Sequence, residues 1–253
     1  MPLKPLVDAL PQDRWPESLD WSGLAGRCQI KNAQGLPLRF VEPSVPPPSA
    51  LDFERRIYAR GEVETRPATW HDAFHACAWL NFPLTKARIN ALHIEHGLDS
   101  TPNRRSVLRN VLTLFDEGGI VVASCNAALL DLLRGFQWHA LFWLERAKVQ
   151  REMDFVIFGH ALYERALEMH YGSTGRGILI EVAPGYFDLD TAARVRFIDA
   201  HLAALFGDAT QFNSTLLLQP VPIKGIPGWD TANEREDYYF DAQQFRPGRR
   251  KAA

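Results

Sequence analysis

The chain of 253 residues contains three cysteines, Cys28, Cys77 and Cys125, widely spaced and without a C-x-x-C pair, so neither a disulfide framework nor a zinc ribbon is suggested. A reducing cytoplasm is the expected setting. No long apolar run is present either: the longest stretch without Asp, Glu, Lys or Arg, residues 209 to 223, holds Gln, Asn, Ser and two prolines. It falls short of the ~20 apolar residues that span a bilayer, and no membrane partner is expected. The amino terminus has prolines at 2, 5 and 11 and Asp8 where a secretion signal needs an unbroken apolar region, so secretion is not expected. A net charge of -2 gives no overall field to draw in nucleic acid, and any anion site has to be local. The basic end RPGRRKAA reads as a solubilising terminus. There is no G-x-S-x-G, no G-x-x-x-x-G-K-[ST] and no G-x-G-x-x-G, which removes the signatures of serine hydrolases, P-loop proteins and dinucleotide-binding folds.

What is present is an ordinary globular composition, 46% apolar and 23% charged, in a chain long enough to bury roughly 70 to 75% of its unfolded surface. The first 67 residues are dense in Pro and Gly and show no sustained period of 3.6 or 2. Trp15, Trp21, Phe40 and Phe53 argue for an ordered arm packed on the rest, because disordered tails are poor in aromatics. Residues 68 to 253 then form the main domain. TWHDAFHACAWLNF predicts a helix ended by Pro83, with Thr69 and Asp72 as a capping box, and a second helix runs from about Thr85 to Gly97. VLTLFDEGGIVVA, 111 to 123, reads as a β-hairpin turning at D-E-G-G. NAALLDLLRGFQWHALFWLERAKV predicts two short helices broken at Gly135, and DFVIFGHALYERALEM a third with Phe155, Phe158, Leu162 and Leu167 on its apolar face. GILIEV and TLLLQPV predict buried strands on either side of the helix TAARVRFIDAHLAALF. The expected fold is α+β: a mostly helical single domain with a small antiparallel or mixed sheet.

Four of the eight histidines fall within residues 69 to 96. His71 and His75 at i,i+4 share a helix face, and His93 on the next helix could add a third nitrogen, which defines an alternative metal set of His71, His75 and His93. H-D-x-x-H lacks the glutamate placement of H-E-x-x-H, and the primary expectation is no metal. A second constellation joins Lys86, Asn90 and His93 to Arg104, Arg105 and Arg109 and to Asp116 and Glu117. In this reading His71 or His93 passes protons and Asp116 orients the imidazole, while Asp72, Lys86, Asn90, Arg104 and Arg105 hold a phosphate or carboxylate. His160, Glu164 and Glu168 at i, i+4, i+8 form a third candidate face.

TWHDAFHACAWLNFPLTKARINALH, TLFDEGG, GHALYERAL and GIPGWDTAN with YYFDAQQFRPGRR resemble an uncharacterised proteobacterial family, domain of unknown function family 3025. Its pattern is W-H-D-x-F-N, F-P-x-T-K, N-x-x-H and T-L-F-D-E-x-G in that order, and this chain departs from it in carrying His75 where the family usually has Asn. The resemblance implies a cytoplasmic bacterial protein and supplies no reaction, cofactor or protein partner. The expected activity is therefore binding or hydrolysis of a small anionic ligand in a pocket between the two histidine-bearing helices, closed by residues 103 to 120. The alternative is a non-catalytic interaction or structural protein in which the same groups form a buried polar network.

Overall fold

The computed structural model describes residues 3–96, 107–168 and 170–248. The amino-terminal segment is more regular than its sequence suggests. It contains α1 (Lys4–Asp8), α2 (Ser18–Arg27), β1 (Arg39–Val41), α3 (Ala50–Arg60) and β2 (Glu62–Glu64), with β1 and β2 paired in parallel. Short elements between prolines defeat a search for long periods. Trp21, Leu24, Ile57 and Val63 are buried against Ala76, Cys77, Trp79 and Leu80, so this segment forms a layer over one face of the next helix.

That helix is α4 (Trp70–Asn81), followed without a loop by α5 (Pro83–Glu95), whose first position is the proline that ends α4. Two of the free amides at the start of α5, those of Leu84 and Thr85, donate to the Asp199 carboxylate at 3.0 and 2.8 Å. Thr69 precedes α4 without a side-chain capping bond, and Asp72 accepts instead from the Arg66 amide and guanidinium at 2.6 to 3.0 Å. The expected capping box does not form because a stronger, charged donor reaches the carboxylate first.

The hairpin expected at 111 to 123 is also corrected. Residues Val107–Gly118 form α6 and Gly119–Ser124 form β3. Val111, Leu112 and Phe115 are fully buried at helical spacing, and this face outweighs the turn character of D-E-G-G. The chain continues through α7 (Ala127–Arg134), a π-helical turn (Ala140–Leu144), α8 (Arg146–Glu152), β4 (Met153–Ile157) and α9 (His160–Leu167). The single helix predicted for DFVIFGHALYERALEM is thus a strand and a helix parted at Gly159. Next come β5 (Thr174–Glu181), α10 (Thr191–Leu205) and β6 (Gln219–Pro222). Thr215–Leu217, expected as strand, is a 3-10 turn.

The main sheet has the order β4-β3-β5-β6 and is mixed: β3 and β5 run parallel, and β4 and β6 are antiparallel to their neighbours. All six residues of the central β3 are buried because both faces are covered. Val121 and Ala123 pack with Ile178 and Ile180 under residues of α5, α6 and α10, and Ile120 and Val122 pack on the other face against α7, the π-helical turn and the carboxyl-terminal segment. The fold is α+β.

Two outcomes follow from this packing. Tyr239 and Phe245 are buried in the second layer, the Tyr239 hydroxyl donates to the Gly225 carbonyl at 2.9 Å, and the Trp138 indole donates to the Arg246 carbonyl at 2.8 Å. Deleting residues 229 to 253 should lower the melting temperature markedly, since each buried aromatic contributes on the order of 1.5 to 3 kcal/mol. An unchanged melting curve would show the segment to be dispensable. A Cβ on Gly159 would lie 2.5 Å from the Glu117 carbonyl oxygen, backbone against backbone. Gly159→Ala should therefore cost about 1 to 3 kcal/mol in urea unfolding, and a neutral result would contradict the tightness of that contact.

Candidate functional site

Five helices converge on one cleft of about 580 Å³. From α4 come His71, Asp72 and His75, whose i,i+4 spacing sets both imidazoles on one face. From α5 comes His93, with Lys86 and Asn90 on the same face at i-7 and i-3. From α6 come Arg109, Thr113, Asp116 and Glu117, from α3 Phe53 and Glu54, and from the first position of α9 His160. Pro43, Pro47 and Pro48 of the amino-terminal layer complete the wall. The position of His160 follows from backbone geometry: the amides of Phe158 and Gly159 both donate to the Gly119 carbonyl, at 3.0 and 2.9 Å, which docks the start of α9 on the end of α6.

The His160 ring centroid lies 4.6 Å from that of His71 and 4.8 Å from that of His75, both edge-on. Its Nε2 is 3.5 Å from Glu117 Oε2 and its Nδ1 3.9 Å from Asp116 Oδ2, and Nδ1 is buried without a hydrogen-bond partner. On the outer side, His71 Nδ1 meets Glu164 Oε2 at 3.1 Å. Behind the imidazoles, Lys86 Nζ donates to Asp116 Oδ1 at 2.5 Å and to His75 Nε2 at 3.1 Å. Because an ammonium only donates, His75 Nε2 is an acceptor and the ring carries its proton on Nδ1. Asn90 donates to the Glu54 carboxylate at 2.6 Å and to the Glu54 carbonyl at 2.9 Å.

Burial dominates the titration of these groups. It pushes His75 well below the usual imidazole range, helped by the Lys86 charge, and His160 down to about 4 against the pull of Asp116. Burial opposes ionisation of Asp116 and Asp72, but Lys86 holds the first carboxyl below its ordinary value and Arg66 the second. Glu117 is raised by burial and by the neighbouring Asp116 charge. Glu54 is raised to about 7 by burial, only partly offset by the Asn90 bond and by Lys86.

The residues singled out from sequence divide by position. His71, Asp72, His93 and Asp116 line the cleft, whereas Lys86 and Asn90 lie behind it, joined to Asp116, His75 and Glu54. Arg104 and Arg105 lie outside the described residues. His93 belongs to neither group of three side chains whose donor atoms approach within 4.8 Å of one another among the described residues, which are His71, Glu117 and His160, and His75, Asp116 and His160. Of the alternative set His71, His75 and His93, the first two thus fall in different groups, each of which contains His160. Of the third candidate face, Glu164 meets His71, and Glu168 is exposed at the end of α9. Sequence reasoning missed Glu54, which sits in a segment without visible helical period, and it separated His160 from the other histidines. The carboxyl doublet Asp116–Glu117, expected on a turn, lies in the last turn of α6.

Residues 38–249 match a family described as "Protein of unknown function (DUF3025)". No curated protein and no solved structure matches the chain.

Glu54 gives the cleft a testable pH signature. Its surroundings are Asn90, Lys86, Asp116 and Arg109. A carboxyl whose folded-state pKa is raised contributes stability that is fully present below its unfolded value near 4.5 and is lost as pH rises through about 7. The loss is on the order of 1 to 3 kcal/mol. Glu54→Gln, which keeps an acceptor for Asn90, should flatten that part of the urea-midpoint profile relative to the parent protein, and parallel profiles would show that Glu54 titrates normally.

Proposed function

The chain belongs to the DUF3025 family, and because that description assigns no reaction, we propose from the cleft that the protein binds and hydrolyses a small anionic substrate. The observation that carries this reading is the convergence of histidines and carboxyls from five helices on one concave surface large enough for a small metabolite. His71, His93 and Asp116 are the proposed catalytic groups, to which the geometry adds Glu54. A carboxyl that titrates near neutral pH exchanges its proton most effectively at that pH, so Glu54 suits transfer to a leaving group or from an attacking water. Asp116, kept ionised by Lys86, orients a neighbouring imidazole. Arg109 on the cleft wall is the proposed charge for the ligand, Arg66 being paired with Asp72, and the Arg104–Arg105 pair is a proposed addition from sequence.

A second reading is favoured by specific pairs. Lys86 with Asp116 and His75, Asn90 with Glu54, and Arg66 with Asp72 are internal contacts of the kind that rigidify a fold without catalysing anything. The two readings differ in what substitutions do. On a panel of phosphate and carboxylate esters, Glu54→Gln, His93→Gln and His71→Asn should each lose about 10²-fold or more in kcat/KM while melting within a few degrees of the parent protein. Loss of about 1 to 3 kcal/mol of stability with no hydrolysis in the parent protein would establish the network instead.

A further inference from the structure

We propose that the cleft binds one divalent transition-metal ion of the zinc class between His71, Glu117 and His160. The role of this ion in catalysis rests on the hydrolytic reading above, whereas its binding does not. The three side chains come from α4, α6 and α9, and one donor atom from each lies within 4.8 Å of the other two. Zinc–nitrogen bonds of about 2.0 to 2.1 Å in a tetrahedron place ligand atoms roughly 3.3 Å apart, so closure needs a contraction within reach of side-chain rotation. Glu117 and His71 have the freedom for it, their side chains being 46% and 36% exposed, while His160 is the fixed point.

His71 is backed as metal-binding imidazoles are, and His160 has a carboxylate behind it at 3.9 Å, beyond hydrogen-bond distance. A ligating histidine usually gives its second ring nitrogen to a carboxylate, which fixes tautomer and ring orientation. His71 presents Nδ1 to Glu164 at 3.1 Å, which leaves Nε2 for the ion. His160 has Nε2 toward Glu117 at 3.5 Å and Nδ1 toward Asp116 at 3.9 Å. The buried Nδ1 lacks a hydrogen-bond partner, and Asp116 is the carboxylate that stands on that side of the ring. The overlapping group His75, Asp116 and His160 is a poorer choice, because Lys86 Nζ already bonds two of its members, His75 and Asp116. A second cation there would face an ammonium in a buried setting. Two nitrogens and one carboxylate oxygen suit a borderline ion such as zinc rather than calcium or magnesium, which favour oxygen.

The charge pairing around the cleft points the same way. Arg66 is engaged by Asp72 and Lys86 by Asp116, so two cations near an incoming anion are already matched. A dipositive ion on a single carboxylate leaves net positive charge at the position the substrate must reach. Three protein ligands also leave a coordination position open toward the cleft for water or a substrate oxygen.

The test uses the full chain, stripped with a chelator, then titrated with Zn²⁺ by calorimetry and with Co²⁺ by visible absorption. One ion per chain and tetrahedral-type cobalt bands are expected. His71→Ala and Glu117→Ala, at half-exposed positions, should each weaken Zn²⁺ binding by at least ~100-fold, and Glu164→Gln, which removes only the group behind His71, by roughly 10- to 100-fold. His75→Asn should bind as the parent protein does. Melting curves of each variant confirm folding. Absence of binding, binding indifferent to His71 and Glu117, or binding lost in His75→Asn would each overturn the proposal. Hydrolysis by stripped protein would remove the ion from the reaction and leave the hydrolytic reading standing. One tightly bound ion in a protein inert to every ester would do the reverse.

Discussion

The backbone contact between Gly119 and Gly159 is the constraint on which the cleft depends. Two successive amides, Phe158 and Gly159, converge on the Gly119 carbonyl; Gly159 has no room for a side chain at the crossing, and Gly119 has none against Phe115 one turn back. This contact ends α6 immediately after Asp116 and Glu117 and starts α9 at His160, so three titratable side chains meet through a junction made of main chain alone. Hydrogen bonds between backbone groups shielded from water are hard to replace, because each group left unmatched costs about 1 to 3 kcal/mol. The junction is also the point where β3 leaves α6 and β4 gives way to α9, and β3 pairs with β4 along its length. Sheet register and site geometry are therefore set by the same few atoms.

The remaining walls are built by a different principle. The α4–α5 pair is held on one side by the amino-terminal layer, through Trp21, Ile57 and Val63 against Trp79 and Ala76, and on the other by Asp199 under the first turn of α5. Apolar packing fixes the helices, and charged pairs fix their side chains. Such pairs are costly to bury and costly to break, which makes them effective at selecting one arrangement even where they add little net stability.

How much of this was legible in the sequence depends on the range of the interaction that decides each element. The α4–α5 hairpin is visible because Pro83 and the apolar spacing are local signals, and the helix at 191 to 205 is visible for the same reason. The stretch 107 to 124 misleads because its turn residues are local, whereas the reason it is helical is the burial of Val111, Leu112 and Phe115 beneath a distant helix pair. The split at Gly159 is invisible without knowing that Gly119 approaches it. The same holds for the site. Histidines 71, 75 and 93 cluster in sequence and attract notice together, but His160 and Glu54 arrive from elements more than 60 residues and about 20 residues away, and no local pattern joins them.

Network and site are best seen as two shells of one structure. Lys86 has a side chain only 4% exposed and lies between Asp116 and His75, over the Trp79 ring at 5.6 Å, so it carries positive charge into the core and holds two groups of the cleft from behind. What His75 provides in that contact is a single acceptor. That contact with a buried ammonium assigns His75 to the supporting shell. His71 and His160 differ in kind: each has a carboxylate on one ring nitrogen side and open cleft or Glu117 on the other. An imidazole held from behind and open in front is equipped to bind, and the supporting shell is what keeps it so.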